Sequence, residues 1–359
     1  MRILLFGEYS GFFNCLKDGL EKLGHTVFLA SDGDGYKNYP SDLRWESGVL
    51  GRKGKILNFL NVLRHRDSFK GFDVVHIISF RPLGFFPYIN KIIIRYLKKH
   101  NKLVCVSGSG LDFGGFKYWL ENPQSKYYWY VNEYVKDSEK KGEKCHLLDD
   151  RLLKEEKLIY KYIDQYIPIW YEYAEPYRML PTLKSTIRIP INLDKFVYTP
   201  NRVNDKVVFF HGLTRSCKGG TFIQEAFNRL RDKYADVAEF VCDGGLPFDE
   251  YMKITSRANC ILDDVNSYSF SMNALFAMAR GKIYMGGAEP EGNKELGYED
   301  CPVINLTRNV DQICEAIEYV IANRDKIEEM GYASRKFVEL YHNHVDIARQ
   351  YVECWEKCE

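Results

Sequence analysis

Two stretches of the chain combine residue types and spacings that can do chemistry. VVFFHGLTRSCKGG (207–220) is an apolar run expected to break at Gly212 into a loop presenting Arg215 and Lys218, closed by Gly219 and Gly220. YSFSMNALFAMARGKIYMGG (268–287) opens with the polar run 268–273 and turns into a helix that stops at Gly281 before another short strand. Two cations three residues apart can converge on one anion, and a helix N-terminus adds unpaired backbone N–H groups and the positive end of a dipole. Together they describe a pocket for a diphosphate. An Arg-x-x-Lys pair alone is a weak motif and usually a solvated loop. Its place after a strand, its closing glycines and the second stretch give it weight.

Other residues have both a chemical and a plain reading. His76 lies mid-strand between valine and isoleucine, as a core histidine would, or an active-site one. His211 closes a strand beside Gly212, where it can simply cap the loop. Asp263 and Asp264 suit an acid/base pair, but neighbours on a strand point to opposite faces, which favours solvation at a strand end. Asp112, after the Gly108/Gly110 turn, reads equally as an acceptor contact and as an Asx turn. Asp243-Gly244-Gly245 is a turn signal that could also admit a base close to the backbone.

Composition narrows the class. The chain has 359 residues, enough for two domains of ordinary size. Fifty Lys and Arg against 49 Asp and Glu leave almost no net charge, which argues against a nucleic-acid binder. Ten cysteines are scattered without a Cys-x-x-Cys pair or a His cluster at ligand spacing, as in a reduced, cytosolic chain without a zinc site. MRILLFG is too short for a signal segment, and no window is apolar enough to span a bilayer. The chain reads as cytoplasmic.

Strands and helices alternate along it. RILLFG (2–7), HTVFLAS (25–31), DVVHIISF (73–80) and KLVCVSGSG (102–110) read as buried parallel strands, with a helix around 86–100. The pattern restarts at KVVFFHG (206–212) and continues through EFVCDGG (239–245), CILDDV (260–265), KIYMGG (282–287) and CPVINL (301–306). Helices are expected at about 220–234, about 248–257 and from 272, and everything past about 310 is helical with breaks near Asn323 and Gly331. Two fresh starts imply two doubly wound α/β domains hinged near 190–205. The boundaries expected are 1–190, 191–342 and a terminal helix, 343–359, packing back on the first domain.

The second half resembles the donor-binding domain of glycosyltransferases with the GT-B fold, specifically the retaining family four. The likeness is carried by IPINLDKF (189–196), HGLTRSCKGG (211–220), LPFDEYMKITSRANCILDD (246–264), SFSMNALFAMARG (269–281) and the terminal helices through HNHVDIARQYVECW (342–355). The first half matches more loosely, through residues 2–31, DVVHIISF and VSGSGLDF (106–113). The resemblance implies a nucleotide diphosphate sugar as substrate, with no cofactor. It implies donor diphosphate contacts from Arg215 and Lys218, the expected catalytic cations, and backbone contacts from the helix start at Ser271, Met272 and Asn273; Gly11, Gly212, Leu246, Tyr268 and Ser269 complete the expected donor site. An acceptor pocket in the first domain, near His76, Ser107 and Asp112, is implied as well. The chain also departs from the family: two glutamates that usually flank the phosphate-binding turn fall on Tyr268 and Phe276, and the usual histidine of the first domain falls near Ser107.

Two features bear on the acceptor. Residues 51–100 hold eleven Lys and Arg against two Asp and Glu, beside the apolar ILNFLNVL (56–63). A basic amphipathic face of this kind suits peripheral contact with an anionic membrane, or a solvated helix face. FKYWLENPQSKYYWYVNEY (116–134) is crowded with aromatic rings that suit sugar faces or fill a core. The expected activity is therefore retaining, metal-independent transfer of a sugar to a glycan or lipid-linked acceptor. Set against it are a non-catalytic binding or scaffold protein and a nucleotide-sugar 2-epimerase of the same fold.

Overall fold

The apolar runs form two parallel sheets. A computed structural model of the chain describes residues 1–49, 51–84, 86–213, 215–244 and 248–357. Six strands build the first sheet: β1 (Arg2–Phe6), β2 (Thr26–Ser31), β3 (Leu43–Arg44), β4 (Val74–Ile77), β5 (Leu103–Gly108) and β6 (Gln165–Pro168), in the order β3-β2-β1-β4-β5-β6. Five build the second: β7 (Val207–Leu213), β8 (Ala238–Gly244), β9 (Cys260–Leu262), β10 (Ile283–Gly286) and β11 (Ile304–Asn305), in the order β11-β10-β9-β7-β8. All pairings are parallel. Near-continuous burial of β1, β4 and β10 follows, since helices cover both faces of a parallel sheet.

The chain divides into two compact units, each with its own core. Met1–Tyr118, His146–Asn192 and His342–Glu359 form the first, and Trp119–Cys145 with Leu193–Tyr341 the second. In the first core, Trp45 stacks on Phe6 at 4.6 Å, with Phe80 on Tyr166 at 5.2 Å. In the second, Phe209, Phe227 and Phe240 pack between β7, β8 and the helix Gly220–Arg231.

Several local expectations change. The aromatic stretch after 118 clusters with the second unit, so the first unit is not the continuous 1–190. Its core is the helix Lys126–Lys140, whose N-cap Ser125 accepts the Tyr128 N–H. The strand of the donor stretch runs past Gly212 to Leu213, because both residues keep register partners on β8, Asp243 and Gly244. Gly331 does not break a helix; it lies inside Ile327–Tyr341, where lacking a side chain lets the backbone approach Gly281. The break falls instead at His342 and Asn343, before the helix His344–Glu356.

That last helix packs on Phe12–Lys22 within the first unit. Gly19 is the contact point: a Cβ there would overlap the carbonyl oxygen of His344. Alanine would gain about 1 kcal/mol of helix propensity, but overpacking against backbone costs roughly 1–3 kcal/mol, and a carbonyl cannot rotate away as a side chain can. Gly19→Ala is therefore expected to lower the unfolding midpoint and Gly19→Leu to lower it further, read by circular dichroism. An unchanged midpoint for both would refute the close packing.

Candidate functional site

In a doubly wound sheet, ligands bind beyond the carboxyl ends of the strands where the strand order reverses. For the second sheet that point lies between β7 and β9, so the loops that follow those strands face each other. They are laced together: Val265 N–H donates to the Lys218 carbonyl at 3.0 Å, and Asn266 Nδ2 donates to the Cys217 carbonyl at 2.6 Å. Glycine is required at 219, where φ is 73° and a Cβ would sit 2.6 Å from the Val265 methyl. Gly220 gives room to His211, whose buried ring meets the Leu262 carbonyl through Nδ1 at 3.0 Å. His211 is thus a loop-packing residue, and burial lowers its pKa.

Lys218 and Arg215 differ in their surroundings. Lys218 Nζ donates to both oxygens of Asp263, at 2.9 and 2.7 Å. Burial opposes the charge on Lys218, but the Asp263 and Asp264 carboxyls more than offset it, and the ammonium pKa is raised. Arg215 begins the short turn Ser216–Lys218 in extended backbone and is exposed. The sequence reading of two convergent cations missed that one already holds a carboxylate. It also set the two aspartates on opposite faces of a strand, whereas β9 ends at Leu262 and both lie in the loop beyond it. Asp264 accepts from Asn266 N–H at 2.9 Å and from Ser267 Oγ at 2.8 Å, and burial pushes its carboxyl up to about 7.

The helix Met272–Ala279 starts on the same edge of the sheet. Ser271 is its N-cap residue in extended backbone without a side-chain cap, and its carbonyl accepts the Ala274 N–H at 3.0 Å. The first N–H groups of such a helix have no intrahelical acceptor. Met272 is buried, Asn273 half-buried and Ser269 buried. Phe276 stacks on Phe196 at 4.8 Å, and Arg280 covers the other ring of that pair at 4.7 Å. Leu246 lies outside the described residues.

Tyr268 is held by the segment Trp119–Cys145. Its hydroxyl accepts the Lys126 N–H at 3.1 Å, and its ring lies 5.9 Å from that of Trp119. Lys126 Nζ pairs with Glu289 at 2.5 Å and donates to the Leu306 carbonyl at 2.8 Å. Further along the same helix, Asp137 accepts from Ser216 Oγ. Arg308, which no sequence pattern singled out, sits between the Trp129 and Phe222 rings at 4.3 and 4.7 Å. It also donates to Asn266 Oδ1 at 2.9 Å, beside the glycine turn.

The first sheet reverses between β1 and β4. Gly11, with φ 84°, precedes the helix Phe12–Lys22 there, and a Cβ would crowd the Tyr39 ring. Tyr9 reaches across to Ser79 at 3.2 Å. Asp112 is nearly buried and accepts from Tyr177 hydroxyl at 2.6 Å and Gly115 N–H at 2.7 Å. Behind it the fully buried Glu156 accepts the N–H groups of Phe113 and Gly114, while Arg81 covers the Phe113 ring at 5.3 Å. Burial, then the nearby Asp112 charge, raise the Glu156 pKa. His76 and Ser107 are elsewhere. Their 2.8 Å hydrogen bond is enclosed by Phe13, Tyr351 and Trp355, and burial pushes the His76 pKa down to about 3. The plain reading of His76 fits its position: it is a core residue under the terminal helix.

This architecture of two parallel, doubly wound sheets is the GT-B fold. Among solved structures it is similar to sucrose-phosphate synthase from Thermosynechococcus elongatus, with 16% identity over 99% of this chain and 98% of that one, at a TM-score of 0.62. It is also similar to Anabaena HepE in complex with UDP and glucose, with 10% identity over 99% of each chain and a TM-score of 0.63. A third likeness is UDP-GlcNAc 2-epimerase from Neisseria meningitidis bound to UDP-GlcNAc, with 13% identity over 99% of this chain and 100% of that one, at 0.54. No family model and no curated protein matches the sequence.

Asp264 gives the candidate site a pH dependence. A carboxyl raised to about 7 is neutral below that pH and adds a negative charge beside Lys218 above it. Affinity of these loops for an anion whose charge is constant across this window should fall as pH rises through 7. The same shift makes the folded state bind the extra proton, so stability from this group is lost as pH rises from about 4 to 7. Isothermal calorimetry at pH 6 and pH 8 checks the first point. Asp264→Asn should flatten the profile, and a variant with the wild-type slope would exclude Asp264 as its source.

Proposed function

We propose that the protein transfers a sugar from a nucleotide diphosphate sugar to a hydroxyl of a glycan or lipid-linked acceptor, with retention and without a divalent cation. The observation that carries this reading is the turn Ser216–Lys218, laced to the loop after β9 at the strand-order reversal of the second sheet. The structural likeness to HepE, solved with UDP and glucose and with UDP-glucose, supports a nucleotide-sugar ligand.

The chemistry asks little covalent help of the chain. As the bond between sugar and diphosphate breaks, negative charge grows on the leaving phosphate. Arg215, Lys218 and the N–H groups at the start of Met272–Ala279 are the groups that would meet it. Preorganised charges of this kind commonly supply about 3–4 kcal/mol per donor in the transition state. Lys218 arrives with Asp263 attached, so its side chain is positioned before a ligand binds. Asp112, beside Arg81 and Glu156 at the carboxyl edge of the first sheet, is the acceptor-side group this reading retains.

A non-catalytic nucleotide-binding protein is the second reading. It is favoured by Tyr268 and Phe276, which spend their side chains on Lys126 and Phe196. An epimerase is favoured only by the likeness to the Neisseria enzyme.

Calorimetry against a panel of nucleotide diphosphates and their sugars, followed by product analysis with and without a glycan acceptor, separates these readings. Arg215→Ala is expected to cost about 1.5–3 kcal/mol of binding as one charge-assisted contact. Lys218→Ala would also leave Asp263 without its cation, which destabilises by as much as about 3 kcal/mol on its own, so Lys218→Ala needs a parallel melting curve. Nucleotide affinity and turnover unchanged in Arg215→Ala and in a folded Lys218→Ala would sink the assigned site. Binding without turnover of any sugar would favour the second reading.

A further inference from the structure

Tyr284, in β10, is 1% exposed, and its hydroxyl makes no hydrogen bond. A buried polar atom without a partner lowers stability, so one that persists calls for a physical reason. Its place is fixed from two sides. Tyr284 is in register with Ile261 of β9, and Asp263 N–H donates to the carbonyl of the next residue, Met285, at 3.1 Å. A Cβ at Gly286 would lie 2.8 Å from Tyr284 Cε1 and 3.5 Å from the Asp264 carbonyl oxygen, so the ring lies beside the loop that follows β9. The Asp263 carboxylate and Ser271 Oγ are among the hydroxyl's polar neighbours, both short of hydrogen-bond geometry. Ser271 Oγ is also buried without a partner, at the start of the helix Met272–Ala279.

What Asp263 stands to lose gives that neighbour its meaning. The carboxylate is buried, and Lys218 gives it two of the three N–H donors that an ammonium carries. One N–H is left for a phosphate. If Lys218 turned further toward an anion, the carboxylate would lose a donor, and a buried charge stripped of its partner is strongly destabilising. Without a second donor at Asp263, Lys218 must keep both bonds and meet the phosphate with a single N–H.

We infer that Tyr284 is the reserve partner of Asp263: when Lys218 commits a second N–H to a bound phosphate, the Tyr284 hydroxyl donates to the carboxylate oxygen that Lys218 releases. Tyr284 is thus a positioning residue, acting through Lys218 without touching the ligand. Burial and the charges of Asp263 and Asp264 hold its phenol well above the usual tyrosine pKa, so the group keeps the proton it must donate. A hydroxyl left idle in the free protein is satisfied in the complex, and binding relieves a defect built into the fold. This role rests on the reading of the Ser216–Lys218 turn as a phosphate site.

Tyr284→Phe removes the hydroxyl and little else. In the ligand-free protein its melting midpoint should stay or rise, since no bond is lost. The same variant should bind UDP or inorganic pyrophosphate about tenfold more weakly in calorimetry, the worth of one hydrogen bond to a charged group made only in the complex. A merely structural role would lower both together. A second readout needs no ligand. Lys218→Met takes the ammonium from Asp263, and the fall in melting midpoint should be larger in the Tyr284→Phe background than in the wild type, because the reserve donor is gone. Should Lys218→Met not fold, the calorimetric comparison decides alone. A lowered midpoint in Tyr284→Phe, additive midpoints in the double variant, or unchanged affinity for a probe that the wild type binds would each overturn the role alone. A wild type that binds neither probe would sink the phosphate reading and this role with it.

Discussion

A parallel strand cannot return to its neighbour through a tight turn. Every connection in both sheets is a crossover, and all carboxyl ends therefore share one edge of each sheet. Where the strand order reverses, the two crossovers leave in opposite directions and open a crevice between their loops. In the second sheet that crevice is narrowed by backbone contacts between the Ser216–Lys218 turn and the loop after β9. The ammonium of Lys218 and the Asp263 carboxylate meet there, on loops that these hydrogen bonds hold together. The chemistry open to the site is set before any ligand arrives.

Much of this was legible in the sequence because parallel strands write an unmistakable signature. Continuous apolar runs such as RILLF and VVFFH, each followed by glycine, marked β1 and β7 and placed the loops beyond them. The site was legible only to the level of its loops. That Lys218 would meet Asp263, 45 residues on, depends on the packing of two crossovers, and spacing along the chain carries no trace of it. His76 shows the same limit: its neighbours Tyr351 and Trp355 come from the far end of the chain. The two-residue β3 and the membership of 119–145 were invisible for a related reason, since neither has a periodicity of its own.

The two residues that stand where the sequence resemblance expects glutamates, Tyr268 and Phe276, have local physical accounts. Tyr268 places a hydroxyl where it can accept from the first turn of the helix Lys126–Lys140, and a ring where Trp119 can cover it. Phe276 completes an aromatic stack with Phe196 that Arg280 covers. Each residue is integrated into ring packing that a carboxylate, which has no aromatic face, would not supply. The helix Lys126–Lys140 is itself fastened at several points, through Lys126 to Glu289, Asp137 to Ser216, and Trp129 to Arg308.

Chain order and spatial membership do not coincide here. The polypeptide passes from one unit to the other after Tyr118, returns at His146, leaves again at Leu193 and returns at His342. Neither half is therefore a transplantable cassette. A chimaera spliced once near residue 192 would inherit Lys126, Trp129 and Asp137 from one parent and Glu289, Arg308 and Ser216 from the other. Exchange of the second unit with a protein of the same fold would have to carry Trp119–Cys145 along with Leu193–Tyr341, as two inserts rather than one.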